Sequence, residues 1–171
     1  MKTFNKIVLL LILAFIVMPE AKAQNLVGTW KYLNTSLASE TAIKVKKQKN
    51  SDIQFNKKLS ANLIKAGFRS GSTLTFNQDQ TFVQRVNQIN YEGTYTCSQD
   101  SKNLTLNFNN GDKVDISLEF VGDEVSLKMP GYQFPMMVNI VESKQNLVVK
   151  DFISSFVTQY ENTHVVMKYV K

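Results

Sequence analysis

The side chains most often used in catalysis are scarce in this chain. His164 and Cys97 are each the only residue of their type among 171 residues. A Ser-His-Asp or Cys-His catalytic arrangement would have to use His164, and no nucleophile motif accompanies it. A zinc site needs three or four His, Cys or carboxylate ligands, and a phosphate site would need a glycine-rich loop that the sequence lacks. The sequence therefore predicts a protein that is not an enzyme and that binds neither a metal nor a cofactor.

A second possible chemistry is the binding of a small apolar ligand by side chains that alternate along strands. Phe82, Gln84 and Val86 share one face of a strand, whereas Arg85 lies on the opposite face and is expected to point to solvent. The candidate ligand-lining residues are Phe82, Gln84, Val86, Tyr91, Tyr95, Ile116 and Leu118. Gln84 is the polar member of its face. The alternative is that the same residues form a fully packed core.

Short runs rich in Val, Ile, Thr, Tyr and Phe, separated by Asn, Asp, Gly and Ser, predict the strands that would position these residues. The predicted strands are Leu26–Leu33, Ser72–Asn77, Thr81–Asn87, Tyr91–Cys97, Asn103–Phe108, Lys113–Phe120, Glu124–Met129, Met136–Glu142 and Thr163–Val170, with a weaker run at Asn146–Lys150. Tight connections predict consecutive hairpins, and Asn110-Gly111 favours a type I′ turn. Because one face of the resulting antiparallel meander is apolar, we expect a closed up-and-down β-barrel of about 8–10 strands.

Two short helices are predicted beside the sheet. Ser51 and Gln54 form a capping-box pattern, after which Phe55, Leu59, Leu63 and Ala66 make an apolar stripe that Gly67 would end. The second helix would begin near Asp151, and its apolar face consists of Phe152, Ile153, Phe156, Val157 and Tyr160. Both helices are expected to pack on the barrel, across an open end.

The first residues have the features of an export signal. Lys2 and Lys6 precede an apolar run from Ile7 to Met18, and Ala21-Lys22-Ala23 is a small-x-small cleavage pattern. We therefore expect residues 1–23 to be a signal peptide and residues 24–171 to be one barrel domain, periplasmic or secreted. No Cys follows the apolar run, so a lipoprotein is not expected, and no later stretch is long enough to span a bilayer.

Composition restricts the expected partners. The formal net charge is +6, but Arg69 and Arg85 are the only arginines, which argues against nucleic-acid binding. One basic cluster could touch an anionic lipid or polysaccharide, or could be a solvated surface; it consists of Lys44, Lys46, Lys47, Lys49, Lys57 and Lys58. Cys97 cannot form an internal disulfide, and its place in a strand favours a buried apolar group over a reactive thiol.

Several short motifs resemble those of a lipocalin-like group of secreted bacterial proteins. Gly28-Thr29-Trp30 is similar to the Gly-x-Trp signature that begins the first lipocalin strand, and residues 76–82 resemble the Phe-x-x-Asp-Gly-Thr-Phe hairpin of that group. Lys65-Ala66-Gly67 is similar to the end of the helix that follows the first strand in that group, and Gly93-Thr94-Tyr95 is similar to its next hairpin. These parts follow one another in the same order as in the group. The resemblance implies a barrel whose signature residues are Gly28 and Trp30, with Trp30 as a plug at the closed end. The alternative is that Trp30 is simply an aromatic residue of the core, and both interpretations predict its burial.

Two positions depart from the pattern of that group. Gln80 stands where the group has Gly, which predicts a wider or strained turn. The last strand lacks the Arg that lipocalins pack over the signature Trp, and Lys168 is the candidate to replace it.

The segment from Met129 to Met137 combines prolines, aromatic residues and methionines. Flexible Met side chains suit surfaces that accept varied apolar partners, so Met129, Tyr132, Phe134 and Met136 could form the mouth of a binding site. The alternative is an irregular connection packed on the core. The leading hypothesis for the whole chain is an exported, non-catalytic protein that holds a small hydrophobic ligand in the barrel. The competing hypothesis is a filled barrel that binds another protein or an envelope glycan.

Overall fold

The computed structural model describes residues 26–38, 48–139 and 163–171, with the side chains of 48–52 and 139 left aside. The strands are β1 (Gly28–Ala38), β2 (Thr73–Phe76), β3 (Thr81–Val86), β4 (Ile89–Cys97), β5 (Asn103–Phe108), β6 (Lys113–Val121), β7 (Glu124–Pro130) and β8 (His164–Val170). The helices are α1 (Gln48–Lys65) and α2 (Phe134–Asn139). The predicted signal peptide, the weak run Asn146–Lys150 and the predicted helix after Asp151 lie outside the described residues.

The described strands form a closed barrel in the order β1 to β8, with every neighbouring pair antiparallel. β8 returns to pair with β1, where Tyr169 lies opposite Tyr32, and this pairing removes both edges of the sheet. The mainly β, up-and-down barrel predicted from the hairpin pattern is confirmed, at the lower end of the expected strand number.

The predicted faces of the strands are also confirmed. Along β3, Phe82, Gln84 and Val86 are buried, while Arg85 is exposed. Tyr95, Ile116 and Leu118, on β4 and β6, are buried as well. Because successive side chains of a strand point to opposite faces, one apolar face of each strand fills the interior and the polar face meets water.

A β-bulge in β1 changes the alternation of inward and outward side chains, and no residue pattern in this strand predicts it. The register between β1 and β8 shifts between Tyr32 and Asn34, so that Leu33 is an extra residue. Leu33 is consequently exposed, whereas Tyr32 and Thr35 both turn into the interior. The bulge thus turns the Thr35 hydroxyl into the interior, where strict alternation after Tyr32 would have placed Asn34.

Helix α1 packs on the barrel beside the later part of β1. Leu59, Leu63 and Ala66 from the predicted stripe are buried, and Phe55 packs beside them. The N–H of Leu37 donates to Oδ1 of Asn56 at 3.0 Å, which ties β1 to the helix. The predicted start at Ser51 is wrong, because the helix already begins at Gln48 and Ser51 lies within it.

The end of α1 and the strand connections require backbone conformations that favour glycine. Gly67 ends the helix with a φ of 100°, and a Cβ there would lie 2.7 Å from Cβ of Asn87. Gln80 has a φ of 64°, so the turn that lacks the Gly of the related group is strained. A strained turn was one of the two outcomes expected there.

The type I′ turn predicted at Asn110-Gly111 is wrong, although the hairpin is present. Only Gly111 of the two has a positive φ, 94°. The N–H of Gly111 donates to the carbonyl of Phe108 at 3.0 Å, so a four-residue connection is built around Asn109 and Asn110. This arrangement matches a type I turn followed by a left-handed Gly. The two-residue connection with positive φ at both positions is instead Asn87-Gln88, between β3 and β4.

The strand predicted at Met136–Glu142 is also wrong, since Phe134–Asn139 forms α2. Consecutive apolar residues fit a buried helix turn as well as a strand, and so short a run has no period that separates the two.

Among the described residues, neither helix combines the length and the apolar character that a membrane-spanning helix needs.

Candidate functional site

The residues predicted to line a ligand site lie together inside the barrel. They come from β3, β4 and β6; all are buried except Tyr91, which is partly buried and packs against the core: Phe82, Gln84, Val86, Tyr91, Tyr95, Ile116 and Leu118. Cys97 is partly buried on the same face of β4 as Tyr95, and burial raises the pKa of its thiol. These positions place the candidate residues in the interior, and their binding of a ligand stays a prediction.

Trp30 is buried near the start of β1, where the resemblance predicts the closed end of the barrel. The Trp30 indole N–H donates to the carbonyl oxygen of Leu26 at 2.7 Å, and its ring packs on Phe120 at 6.0 Å between centroids. The Lys171 ammonium lies 4.9 Å from the Trp30 ring centroid, a distance suited to a cation–π contact. We call this region, formed by Leu26, Trp30, Phe76, Tyr95 and Phe120, the Trp30 end.

The replacement of the lipocalin Arg by Lys168 is wrong, because Lys171 makes the contact. Residues of β8 alternate, and Tyr169 points inward, so the preceding Lys168 belongs to the outer face. Lys171 reaches the ring from beyond the end of the strand. A Cβ placed on Gly28 would lie 3.7 Å from Cε of Lys171, so the signature glycine lies beside the lysine stem.

Aromatic rings fill the interior at the Trp30 end and beside it. Phe76 meets Tyr95 edge to face at 5.0 Å, and Phe82 meets Phe108 in the same way at 4.9 Å. The Tyr95 hydroxyl donates to the carbonyl oxygen of Asn77 at 2.8 Å. Each polar atom of Trp30 and Tyr95 is therefore satisfied by the protein itself, as is usual for buried polar groups.

A group of polar side chains is buried inside the barrel, among the apolar ones. It consists of Tyr32, Thr35, Gln84 and Tyr169, and we call it the polar cluster. The hydroxyls of Tyr32 and Thr35 share a hydrogen bond of 2.8 Å, which the bulge in β1 makes possible. The rings of Tyr32 and Tyr169 meet edge to face at 5.7 Å.

Gln84 and Tyr169 differ from the other two members because their polar atoms have no hydrogen-bond partner. Each residue is 1 % exposed. Neither the amide oxygen nor the amide nitrogen of Gln84 is bonded to any described residue, and the same is true of the Tyr169 hydroxyl. A buried, unpaired polar group costs about 1–3 kcal/mol, so these three atoms together are an unusual feature of the interior.

Burial controls the ionisation of the two tyrosines in the polar cluster. It raises the pKa of Tyr169 far above the ordinary value, and the nearby Tyr32 raises the pKa further. Gln84 lies close enough to oppose this rise, although no hydrogen bond of ordinary geometry joins it to Tyr169. Burial also raises the pKa of Tyr32, against the effect of its hydrogen bond with Thr35. Both phenols are therefore neutral at physiological pH.

The predicted mouth divides between the core and the surface. Met129 and Phe134 are buried in the core, Met136 is partly buried, and Tyr132 is 51 % exposed. The adjacent Gln133 is buried, and its Oε1 accepts a hydrogen bond from the N–H of Asp115 at 2.8 Å. The segment thus packs mostly as a connection on the core, which was the second interpretation of its sequence.

The basic cluster is only partly described by the structure. Lys57 and Lys58 lie exposed on α1, and the side chains of Lys44, Lys46, Lys47 and Lys49 are outside the described residues.

Sequence reasoning identified Gln84 but missed Tyr32, Thr35 and Tyr169 as members of one cluster. Tyr169 could have been found, because it alternates with the apolar residues Val165 and Met167 along the last strand. Thr35 could not, because its inward position depends on the bulge after Tyr32. No pattern of residue types in β1 indicates that bulge.

The match to a protein family agrees with the barrel. A family model described as a lipocalin-like domain, DUF4923, matches residues 3–171. No curated protein matches the chain significantly. Among solved structures, a DUF4847 family protein from Bacteroides vulgatus is 13 % identical, covering 87 % of this chain and 95 % of that chain with a TM-score of 0.43.

Proposed function

The chain belongs to the lipocalin-like family DUF4923, and from that premise we propose that it is an exported, non-catalytic protein that holds a small, mainly apolar ligand inside its barrel. Eight-stranded barrels enclose an interior just wide enough for side chains or for one small ligand. Export is supported by the leader-like pattern of residues 1–23.

One observation supports this proposal above the others: the unpartnered Gln84 and Tyr169 within an otherwise apolar interior. Binding sites for small molecules are mostly apolar and contain a few polar groups that fix the orientation of the ligand. Polar atoms that contribute only to folding are normally paired, as Trp30 and Tyr95 are. The three free polar atoms of Gln84 and Tyr169 are suited to pair with a ligand.

The chemistry of the same residues supports the non-catalytic part of the proposal. An amide does not titrate, and phenols whose pKa is raised by burial remain protonated. Such groups donate and accept hydrogen bonds, but they are poor proton acceptors near neutral pH. The cluster is thus suited to holding a molecule.

Titration with a neutral fluorescent probe, N-phenylnaphthylamine, tests the proposed function. We expect saturable binding with enhanced emission at one probe per protein, and organic extraction of protein purified from its native host should release a small apolar compound. Absence of saturable probe binding together with an empty extract would contradict the proposal. Unfolded protein at the same concentration is the control for non-specific uptake.

A filled barrel that binds another protein or an envelope glycan is the second candidate. The observation that favours it is the close ring packing at and beside the Trp30 end, where successive contacts join Tyr95, Phe76, Phe82 and Phe108. On this hypothesis, mutations in the interior would change stability alone. Substitutions that change probe binding without unfolding the protein would reject it.

A further inference from the structure

We infer that the ligand carries an uncharged polar group able both to donate and to accept a hydrogen bond, such as a hydroxyl, and that Gln84 and Tyr169 hold this group together. The inference rests on the proposed function and specifies the chemical class of the ligand. It depends on the juxtaposition of an amide and a phenol, both buried and both without a protein partner.

The two side chains lie on strands that are not neighbours in the sheet. Gln84 is on β3, where it pairs in register with Leu74 of β2 and Tyr91 of β4. Tyr169 is on β8 and pairs with Tyr32 of β1 and Val125 of β7. Their backbones cannot bring the side chains together by direct pairing, so the two groups approach each other across the interior. A group bound between them would contact both.

The hydrogen-bonding capacity of the pair defines what it can recognise. The Gln84 amide offers an acceptor oxygen and a donor nitrogen, and the Tyr169 hydroxyl can donate or accept. A hydroxyl ligand can accept from one group and donate to the other. An ether, which only accepts, would leave part of this capacity unused.

An ionised group fits the pair poorly. The buried polar side chains among the described residues are Thr35, Ser72, Gln84 and Gln133, together with the tyrosine hydroxyls, and all of them are uncharged. Burying a carboxylate or ammonium without an opposite charge is costly, far more so than burying a hydroxyl that is hydrogen-bonded. The chemistry of the cluster therefore favours an alcohol over a fatty-acid anion.

The pairing of the remaining polar groups makes this interpretation specific. The hydroxyl of Tyr32 is occupied by Thr35, that of Tyr95 by the Asn77 carbonyl, and the Gln133 amide oxygen by the N–H of Asp115. Each of these groups has a partner supplied by the fold. Among the buried side chains that the structure describes, only Gln84 and Tyr169 have polar atoms without a hydrogen-bond partner, and the two residues are close to each other.

Isothermal titration with three octyl-length compounds tests the inference: octanol, heptyl methyl ether and octanoate, at mildly alkaline pH where octanoate is ionised. We expect octanol to bind most tightly and octanoate at least about tenfold more weakly. Gln84→Met should weaken octanol binding by about tenfold and reduce its advantage over the ether. Tyr169→Phe should act in the same direction, and it provides a second test if the first variant does not fold.

Gln133→Met is the matched control, because it removes a buried amide that is already bonded within the protein. It should leave the order of the three affinities unchanged. Equal binding of octanol and octanoate, or an octanol preference that survives both cluster variants, would overturn the inference while probe binding still supported the proposed function. Failure of the probe and of all three compounds would overturn both.

Discussion

The Trp30 end and the polar cluster are both buried and both rich in aromatic rings, yet the hydrogen bonding of their polar atoms differs. At the Trp30 end, the indole N–H of Trp30 and the hydroxyl of Tyr95 each donate to a backbone carbonyl. In the polar cluster, Tyr32 and Thr35 bond to each other, while Gln84 and Tyr169 bond to no described residue.

This difference separates residues that stabilise the barrel from residues that are available for binding. A satisfied polar group adds a modest net stability, whereas an unsatisfied one lowers it. A barrel selected for stability alone would carry apolar residues at both unpaired positions. Functional sites commonly lower stability in this way, because their groups are arranged for a ligand.

Replacing Trp30 should have the largest effect on stability. Trp30→Ala removes a large buried ring, its contact with Phe120 and its hydrogen bond to Leu26, and we expect a loss of about 3–5 kcal/mol. Urea denaturation measures this loss. Trp30→Phe keeps a ring and should cost clearly less. If Trp30→Ala were as stable as the natural protein, the Trp30 end could not be the region that stabilises the barrel.

Adding one methyl group at Gly93 tests how tightly the same region is packed. A Cβ on Gly93 would lie 2.1 Å from the backbone oxygen of Asn107 and 2.8 Å from Cε1 of Phe82. Because backbone must move, Gly93→Ala should destabilise the protein by about 2–3 kcal/mol in the same assay. Gly71→Ala is the control, since nothing lies within 4 Å of its Cβ position. A similar loss in both variants would contradict the packing argument.

Two buried glutamines provide the sharpest form of the comparison. Gln84→Met removes an unpaired amide, so we expect the free energy of unfolding to rise by about 1–2 kcal/mol. Gln133→Met leaves the N–H of Asp115 without its acceptor and should lower the free energy of unfolding by about 1–2 kcal/mol. Thermal and urea denaturation of the two variants should therefore move in opposite directions. A loss of stability in Gln84→Met would mean that the amide has a structural role.

Alkaline unfolding should report the burial of Tyr169. Burial raises its pKa above the ordinary 10.0, so the phenol ionises first in the unfolded chain. The stability from the neutral phenol is complete below about pH 10 and is lost as the pH rises from there toward the raised pKa, by about 1.4 kcal/mol per pH unit. Tyr169→Phe should make the slope of stability against pH shallower by this amount. An unchanged slope would show that the hydroxyl is not buried from water.

Much of the architecture could be predicted because alternation is a local property of the sequence. The inward positions of Phe82, Tyr95, Ile116 and Leu118 follow from strand periodicity, and Gly67 was correctly identified as the end of α1. The errors occur where the local pattern is ambiguous. Met136 begins an apolar run that suits either a helix turn or a strand, and in the folded protein this run is part of α2.

The polar cluster illustrates a different limit. Gln84 could be recognised as a polar residue on an apolar face, but nothing near it in the sequence says whether its amide is paired. That depends on Tyr169, which is on β8, and on the position at which the barrel closes between β1 and β8. Lys171 over Trp30 depends on the same closure, and this is why Lys168 was the wrong choice.

The sequence by itself determined most of the strands, most of their faces and the order of the hairpins, because each of these depends on residues within a few positions of one another. Only the tertiary structure decided which side chains meet across the barrel, since closure joins strands that are far apart in the chain and a single bulge shifts their register. The pairing of Tyr32 with Thr35 is a consequence of that bulge, and the unpaired approach of Gln84 to Tyr169 is a consequence of the closure.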